Sequence, residues 1–151
     1  MSTLRPSAAF LAVSLAYALS SCALFRTSPP EYPPVTLPSG VVIQDLVVPD
    51  EGEPARPGDY VSLNYELELD DGTRVDSSYE RGQPLDTRLG EGVLPLGIEL
   101  GITGMRVFGR RSILVPPELG YGSEGLEDRV PPDAVLRVLV ELMSRATPPL
   151  D

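Results

Sequence analysis

Residues 107–122 read V-F-G-R-R-S-I-L-V-P-P-E-L-G-Y-G, and the fold is decided there. Residues 110–115 open with two arginines and continue apolar, as a strand with one buried face does. Pro116 and Pro117 then end it, because proline has no backbone N–H to give to a sheet ladder. The run closes on Gly120-Tyr121-Gly122. A large side chain between two glycines is presented by a turn, so Tyr121 is a candidate for contact with a ligand.

Outward from this stretch the chain alternates strands and turns. Residues 41–48 are β-branched and stop at Pro49-Asp50-Glu51-Gly52, a strand and its turn. After a second turn at Pro57-Gly58-Asp59, the apolar Val61, Leu63, Tyr65, Leu67 and Leu69 alternate with Ser62, Asn64, Glu66 and Glu68. That period of two predicts a half-buried antiparallel strand. Asp70-Asp71-Gly72-Thr73 predicts a hairpin, and Val75 resumes the chain on its far side. Residues 96–103 form the only predicted helix, with Ile98 and Ile102 one turn apart. Leu136, Val138, Val140 and Leu142 mark the last strand. The expected architecture is α+β, a curved antiparallel sheet wrapped on one short helix, over residues 41–146, with 147–151 as a short tail.

The N-terminal segment has a different character. Arg5, the apolar run 8–19 and Leu19-Ser20-Ser21-Cys22 read as a leader over residues 1–21, cut before the cysteine. Leucine, two small residues and cysteine resemble the lipobox of bacterial lipoproteins, which implies a lipid on Cys22, the only cysteine in the chain. Ala23 in the next position carries no acidic inner-membrane retention signal, which favours the outer membrane of a bacterial envelope. Residues 22–40 hold Pro29, Pro30, Pro33, Pro34 and Pro38. Such chain is extended, reaching roughly 50 Å over eighteen residues, and reads as a tether.

Composition removes whole classes of chemistry. The chain of 151 residues carries a net charge of −10, and all 12 basic residues are arginines. No basic cluster is present, so nucleic acid is not an expected partner. Histidine is absent, which excludes Ser-His-Asp triads, Cys-His dyads and nearly all zinc sites. Any catalysis must proceed without a base that titrates near neutrality. Gly97 and Gly101 have the spacing of membrane-helix dimers, but they flank Glu99 within no long apolar segment.

Several collinear motifs resemble the FKBP-type peptidyl-prolyl isomerases. They are Leu63-Asn64-Tyr65 with Asp70-Asp71-Gly72, Val75-Asp76-Ser77-Ser78, Arg81-Gly82-Gln83-Pro84-Leu85, Gly101-Ile102-Thr103-Gly104-Met105, Val130-Pro131-Pro132-Asp133-Ala134 and Val138-Leu139-Val140-Glu141-Leu142, beside the Pro-Pro-Glu-Leu-Gly-Tyr-Gly run. The resemblance implies rotation of X-Pro amides in an apolar pocket, without a cofactor or metal, on proline-containing folding proteins. It implies that Tyr65, Asp76 and Tyr121 are the catalytic set. Tyr121 would donate to the substrate carbonyl, and Asp76 would be tied to Tyr65 or Arg81. Substrate would meet Val75, Arg81, Leu85, Leu94, Pro95, Ile98, Val130 and Val138.

The match departs from the family at the walls. Val75, Leu85 and Val138 stand where it keeps phenylalanines, and Ile98 where it keeps a tryptophan. Where the family offers a backbone N–H, this chain has Pro95, or Leu94 if the register shifts by one. Three functions are therefore open: a membrane-tethered isomerase, a non-catalytic chaperone or binding module with the same fold, and a purely structural lipoprotein, which would explain the tether but not the retained Tyr65, Asp76 and Tyr121. One small acidic domain is expected to be a monomer.

Overall fold

The computed structural model describes residues 32–149. The leader 1–21, Cys22 and the segment up to residue 31 lie outside the described residues, as do 150 and 151. The period-two stretches form the strands expected of them. β3 (Tyr60–Leu69) and β7 (Leu136–Ala146) pair antiparallel along their whole length and carry the centre of the sheet. Leu136, Val138, Val140 and Leu142 on β7 are at most 1% exposed, and Leu63 on β3 matches them. The residues between them face outward. β6 (Arg110–Val115) pairs β7, and β2 (Val42–Val47) pairs β6. Among the described residues the sheet has seven strands, antiparallel at every pairing; with β1 (Val35–Thr36), β4 (Arg74–Ser77) and β5 (Leu85–Arg88) the order is β1-β2-β6-β7-β3-β4, with β5 also on β3.

Helix α2 (Leu96–Ile102) lies on this sheet against β6 and β7, burying Gly97, Ile98, Gly101 and Ile102. Ile98 and Ile102 join Ile113, Val115 and the β7 residues in a single apolar core. Among the described residues no helix is long and apolar enough to cross a membrane. The Gly97–Gly101 spacing instead lets the helix sit against β6.

Three short elements were not expected. β1 (Val35–Thr36) pairs β2 from within the stretch read as a tether, and Leu37 packs against the core, so the ordered pairing begins before residue 41. α1 (Ser78–Arg81) is a single helical turn, so residues 96–102 are not the only helix. β5 (Leu85–Arg88) returns the chain to the sheet.

α1 and β5 create the opening of the site. β4 (Arg74–Ser77) pairs the C-terminal half of β3, and β5 pairs its N-terminal half, on the same edge. Between them the chain leaves the sheet through α1. The Asp-Ser-Ser motif is the device that makes it leave. Ser77 caps α1 by accepting the Glu80 N–H, and the fully buried Ser78 accepts the Tyr65 N–H at 2.9 Å, which fixes the turn to β3. Gly82, at a φ of 71°, closes α1 in the left-handed region.

Candidate active site

A cavity of about 320 Å³ opens where the sheet edge is interrupted. Its floor is Ile98 from α2 with Val138 and Val140 from β7, and Leu63 and Leu67 from β3 complete the apolar base. The sides come from Leu85 at the start of β5 and from Val93, Leu94 and Pro95 before α2. The polar edge is Tyr65, Asp76 and Arg81, and Tyr121 also lines the cavity.

A β-bulge aims Asp76. Leu67 pairs Asp76 and Glu68 pairs Arg74, so Val75 is an extra residue on β4. The Asp76 carboxylate is then fully engaged. Its Oδ2 accepts the Tyr65 hydroxyl at 2.5 Å, and its Oδ1 accepts Arg81 Nη1 and the Ser77 N–H, the latter at 2.8 Å. Arg81 Nη2 also donates to the Tyr65 oxygen at 2.9 Å, and its guanidinium stands 5.3 Å from the Tyr65 ring centroid. The triangle is closed, and each member orients the other two.

Electrostatics keep all four polar groups in one protonation state. Burial by itself would raise the Asp76 carboxyl. The hydrogen bonds from Tyr65 and Arg81, the charge of Arg81 and the Ser77 N–H outweigh it and hold the group below the usual carboxylate range. Burial, with the Asp76 hydrogen bond, pushes the Tyr65 phenol up. Its bonds to Tyr65 and Asp76 raise Arg81. Burial also raises Tyr121, with the opposing Arg129 charge a smaller effect. The cavity thus contains a carboxylate, a guanidinium and two neutral phenols. Tyr121 is half-buried, and its hydroxyl has no protein partner among the described residues.

Of the residues expected at the site, Tyr65, Asp76, Tyr121, Arg81, Leu85, Leu94, Pro95, Ile98 and Val138 line the cavity. Val75 and Val130 do not. Val75 is the bulge residue and packs, partly buried, against the apolar core. Val130, 1% exposed, closes the 126–130 loop through its bridge to Leu126 and belongs to the core. Pro95 is the N-cap of α2, and its carbonyl accepts the Ile98 and Glu99 N–H groups. It has no N–H to offer, so Leu94 carries the nearest one on its N-terminal side.

Leu63, Leu67 and Val140 were missed, although each lies two positions from a lining residue on the same strand and the period of two points to them. Gln83, Pro84 and Val93 come from loops, where no such rule applies. Among the described residues no cluster of His, Cys, Asp or Glu could hold a metal ion.

The comparisons agree with this geometry. The sequence model of the FKBP-type peptidyl-prolyl cis-trans isomerases matches residues 51–143. FK506-binding protein 2 of Yarrowia lipolytica is 47% identical over 90 residues, which cover 60% of this chain and 62% of that protein. Human peptidyl-prolyl cis-trans isomerase FKBP9 is 38% identical over 95 residues, 63% of this chain but 17% of its own length. The chain therefore spans less than two thirds of these curated relatives. The crystal structure of AtFKBP13 superposes with a TM-score of 0.69 at 34% identity, covering 76% of this chain and 99% of that one. FkpA from Escherichia coli gives the same score at 37% identity, covering 77% of this chain and 53% of its own. With its matched residues spanning more than half its length, the chain belongs to the FKBP-type peptidyl-prolyl cis-trans isomerase family.

Proposed function

We propose that this domain accelerates rotation about X-Pro peptide bonds by desolvating the amide in the Ile98-floored cavity. The observation that carries this reading is the Tyr121 hydroxyl, half-buried at the cavity and without a hydrogen-bond partner among the described residues. The barrier to rotation, about 18–20 kcal/mol, comes from amide resonance that water sustains by solvating the polar planar form. An apolar wall withdraws that solvation, and Tyr121 donates to the substrate carbonyl to fix its orientation. Tyr65 and Arg81 hold Asp76 as a positioned negative edge. No proton moves.

The aliphatic Leu85, Ile98 and Val138 favour a second reading, a binding module without turnover. An isomerisation assay on a Phe-Pro or Leu-Pro tetrapeptide separates the two. Acceleration is expected from the mature chain. Tyr121→Phe should lower kcat/KM about tenfold, the worth of one net hydrogen bond. Asp76→Ala should cost at least about as much, since Tyr65 and Arg81 lose their shared acceptor. No acceleration from the folded chain would establish the binding module.

The rate should also be flat with pH. Asp76 is held low and stays ionised, while both tyrosines are raised and stay protonated. Between about pH 5.5 and 9 no cavity group changes charge, so kcat/KM should vary by less than about twofold. A bell-shaped profile would mean that a proton transfer has been overlooked.

For location, the proposal is a lipid on Cys22 holding the domain in a bacterial envelope, at the outer membrane in preference to the inner. The Leu19-Ser20-Ser21-Cys22 box and Ala23 support it. Its clients would be proline-containing proteins folding there, where uncatalysed isomerisation takes tens to hundreds of seconds. The intact mass of Cys22 in the native protein tests the anchor.

A further inference from the structure

Phe108 combines two unfavourable features. Its side chain is 64% exposed, and its backbone has a φ of 69°, a region that L side chains enter only against steric resistance. Its N–H is pinned to the Leu142 carbonyl at 2.6 Å, so the turn is held by the sheet. Glycine would fill this position without strain. A strained, exposed aromatic on a fixed turn points to something outside the domain that it touches.

Phe108 has apolar neighbours. A Cβ on the next residue, Gly109, would lie 3.4 Å from both the Val47 carbonyl and the Pro49 ring, so this turn abuts the end of β2. Leu46, Val47 and Val48 are exposed there by 43, 45 and 40%. β2 ends here with a bulge: Asp45 pairs Arg111 and Val47 pairs Arg110, leaving Leu46 as the extra residue. Val47 and Val48 line a second depression of about 240 Å³ with Met105. It shares no residue with the active-site cavity.

The charges around this patch are mixed. Arg106 donates to the Pro49 and Asp50 carbonyls, Arg110 is exposed beside Val47, and Asp45 is paired with Arg111. Asp50 and Glu51, which follow Pro49 in the chain, are exposed. Two cations and two free carboxylates suit a zwitterionic surface rather than an anionic one.

The path of the chain indicates which surface. Tyr32 is the first described residue, and its carbonyl accepts the Gln44 side chain from β2 at 3.3 Å. Gln44 lies two residues before Leu46. Only residues 23–31 separate Tyr32 from Cys22. A chain spans at most about 3.6 Å per residue, so an anchored Cys22 holds this end of β2 within about 35 Å of the lipid. At that tether length even weak partitioning becomes an intramolecular event. We propose that Leu46, Val47, Val48 and Phe108 form a membrane-facing surface that seats on the lipid interface beside the anchor. This rests on reading Cys22 as the lipid-bearing residue.

The test uses two features of the composition, one cysteine and no tryptophan. The mature chain is coupled through Cys22 to a maleimide lipid in phosphatidylcholine vesicles, which supplies the anchor whatever the cell does. Phe108→Trp then gives a single reporter at the patch, and Val93→Trp gives one at the other cavity. Indole emission from the Phe108→Trp variant should shift to the blue and be quenched by lipids brominated along the acyl chain, while that from Val93→Trp should not. Hydrogen exchange on the unsubstituted coupled chain should slow at residues 46–48. Phe108→Gly should remove that protection while leaving the unfolding midpoint no lower. An unquenched Phe108→Trp reporter, equal quenching of both reporters, or unchanged exchange at 46–48 would overturn the surface. The intact mass of the native protein is a separate arm: without lipid on Cys22 the anchor reading fails, and the vesicle result still decides whether the patch takes lipid.

Discussion

Arg145→Leu is expected to destabilise the domain by about 3 kcal/mol at neutral pH, a loss on the order of 10 °C in the unfolding midpoint. Asp59 is the reason. Its side chain is 3% exposed and accepts Arg145 Nε at 2.6 Å and the Arg56 N–H at 2.9 Å. The pair joins the turn that starts β3 to the end of β7, where Val61 and Arg145 are in register. Removing the arginine leaves a buried carboxylate with one backbone donor, and the cost of that orphaned charge exceeds the net worth of the pair. Burial alone would raise the Asp59 carboxyl, but the hydrogen bonds and charges of Arg145 and Arg56 outweigh it and hold the group low. A carboxyl lowered in the folded state contributes stability above its unfolded pKa of about 3.9 and loses it as pH falls through the folded value. The gap between parent and variant should therefore narrow below about pH 4, measured by denaturant melts at pH 7 and pH 3. A gap independent of pH would mean that packing of the arginine stem, rather than the charge, stabilises this corner.

Long periodic segments were legible in the sequence, and short ones were not. β3 and β7 expose their period over ten or more residues, so their faces and most of the cavity floor follow from alternation. α1 spans four residues and β5 spans four. Neither is long enough to show a period, and each exists because the neighbouring chain holds it: Ser77 and Ser78 for α1, β3 for β5. β1 hides among prolines and is ordered by β2. Val75, expected to meet substrate by resemblance, is the extra residue of a bulge in β4 and packs partly buried against the core; a bulge leaves no mark in the alternation of so short a strand. Val130 was placed at the cavity by resemblance, whereas the 126–130 loop turns it into the core. Tyr65, Asp76 and Arg81 were all named from motifs, but their closed triangle depends on the chain leaving the sheet edge at α1, a tertiary fact.

Gly97→Ala and Gly101→Ala should each cost about 2–3 kcal/mol, although alanine is the better helix former by about 1 kcal/mol. Neither glycine has a positive φ, so what each avoids is contact. A Cβ on Gly97 would lie 2.3 Å from Val115 Cγ1, and 3.1 Å from both Cβ and the carbonyl oxygen of Leu119. On Gly101 it would lie 2.6 Å from two carbons of Ile113. α2 must lift off β6 to admit either methyl, and Ile98, which floors the cavity between the two glycines, lifts with it. Both variants should therefore raise KM for the peptide as well as lower the unfolding midpoint. The partners make the cause separable. Ile113→Ala removes the three atoms nearest to the Gly101 methyl, so the double variant should be more stable than the sum of the single losses by at least about 1 kcal/mol. At Gly97 the rescue by Val115→Ala should be smaller, because the Leu119 carbonyl is backbone and remains in place. Additive losses in both cycles would show that the helix is seated by something other than these two contacts, and that the position of Ile98 does not depend on them.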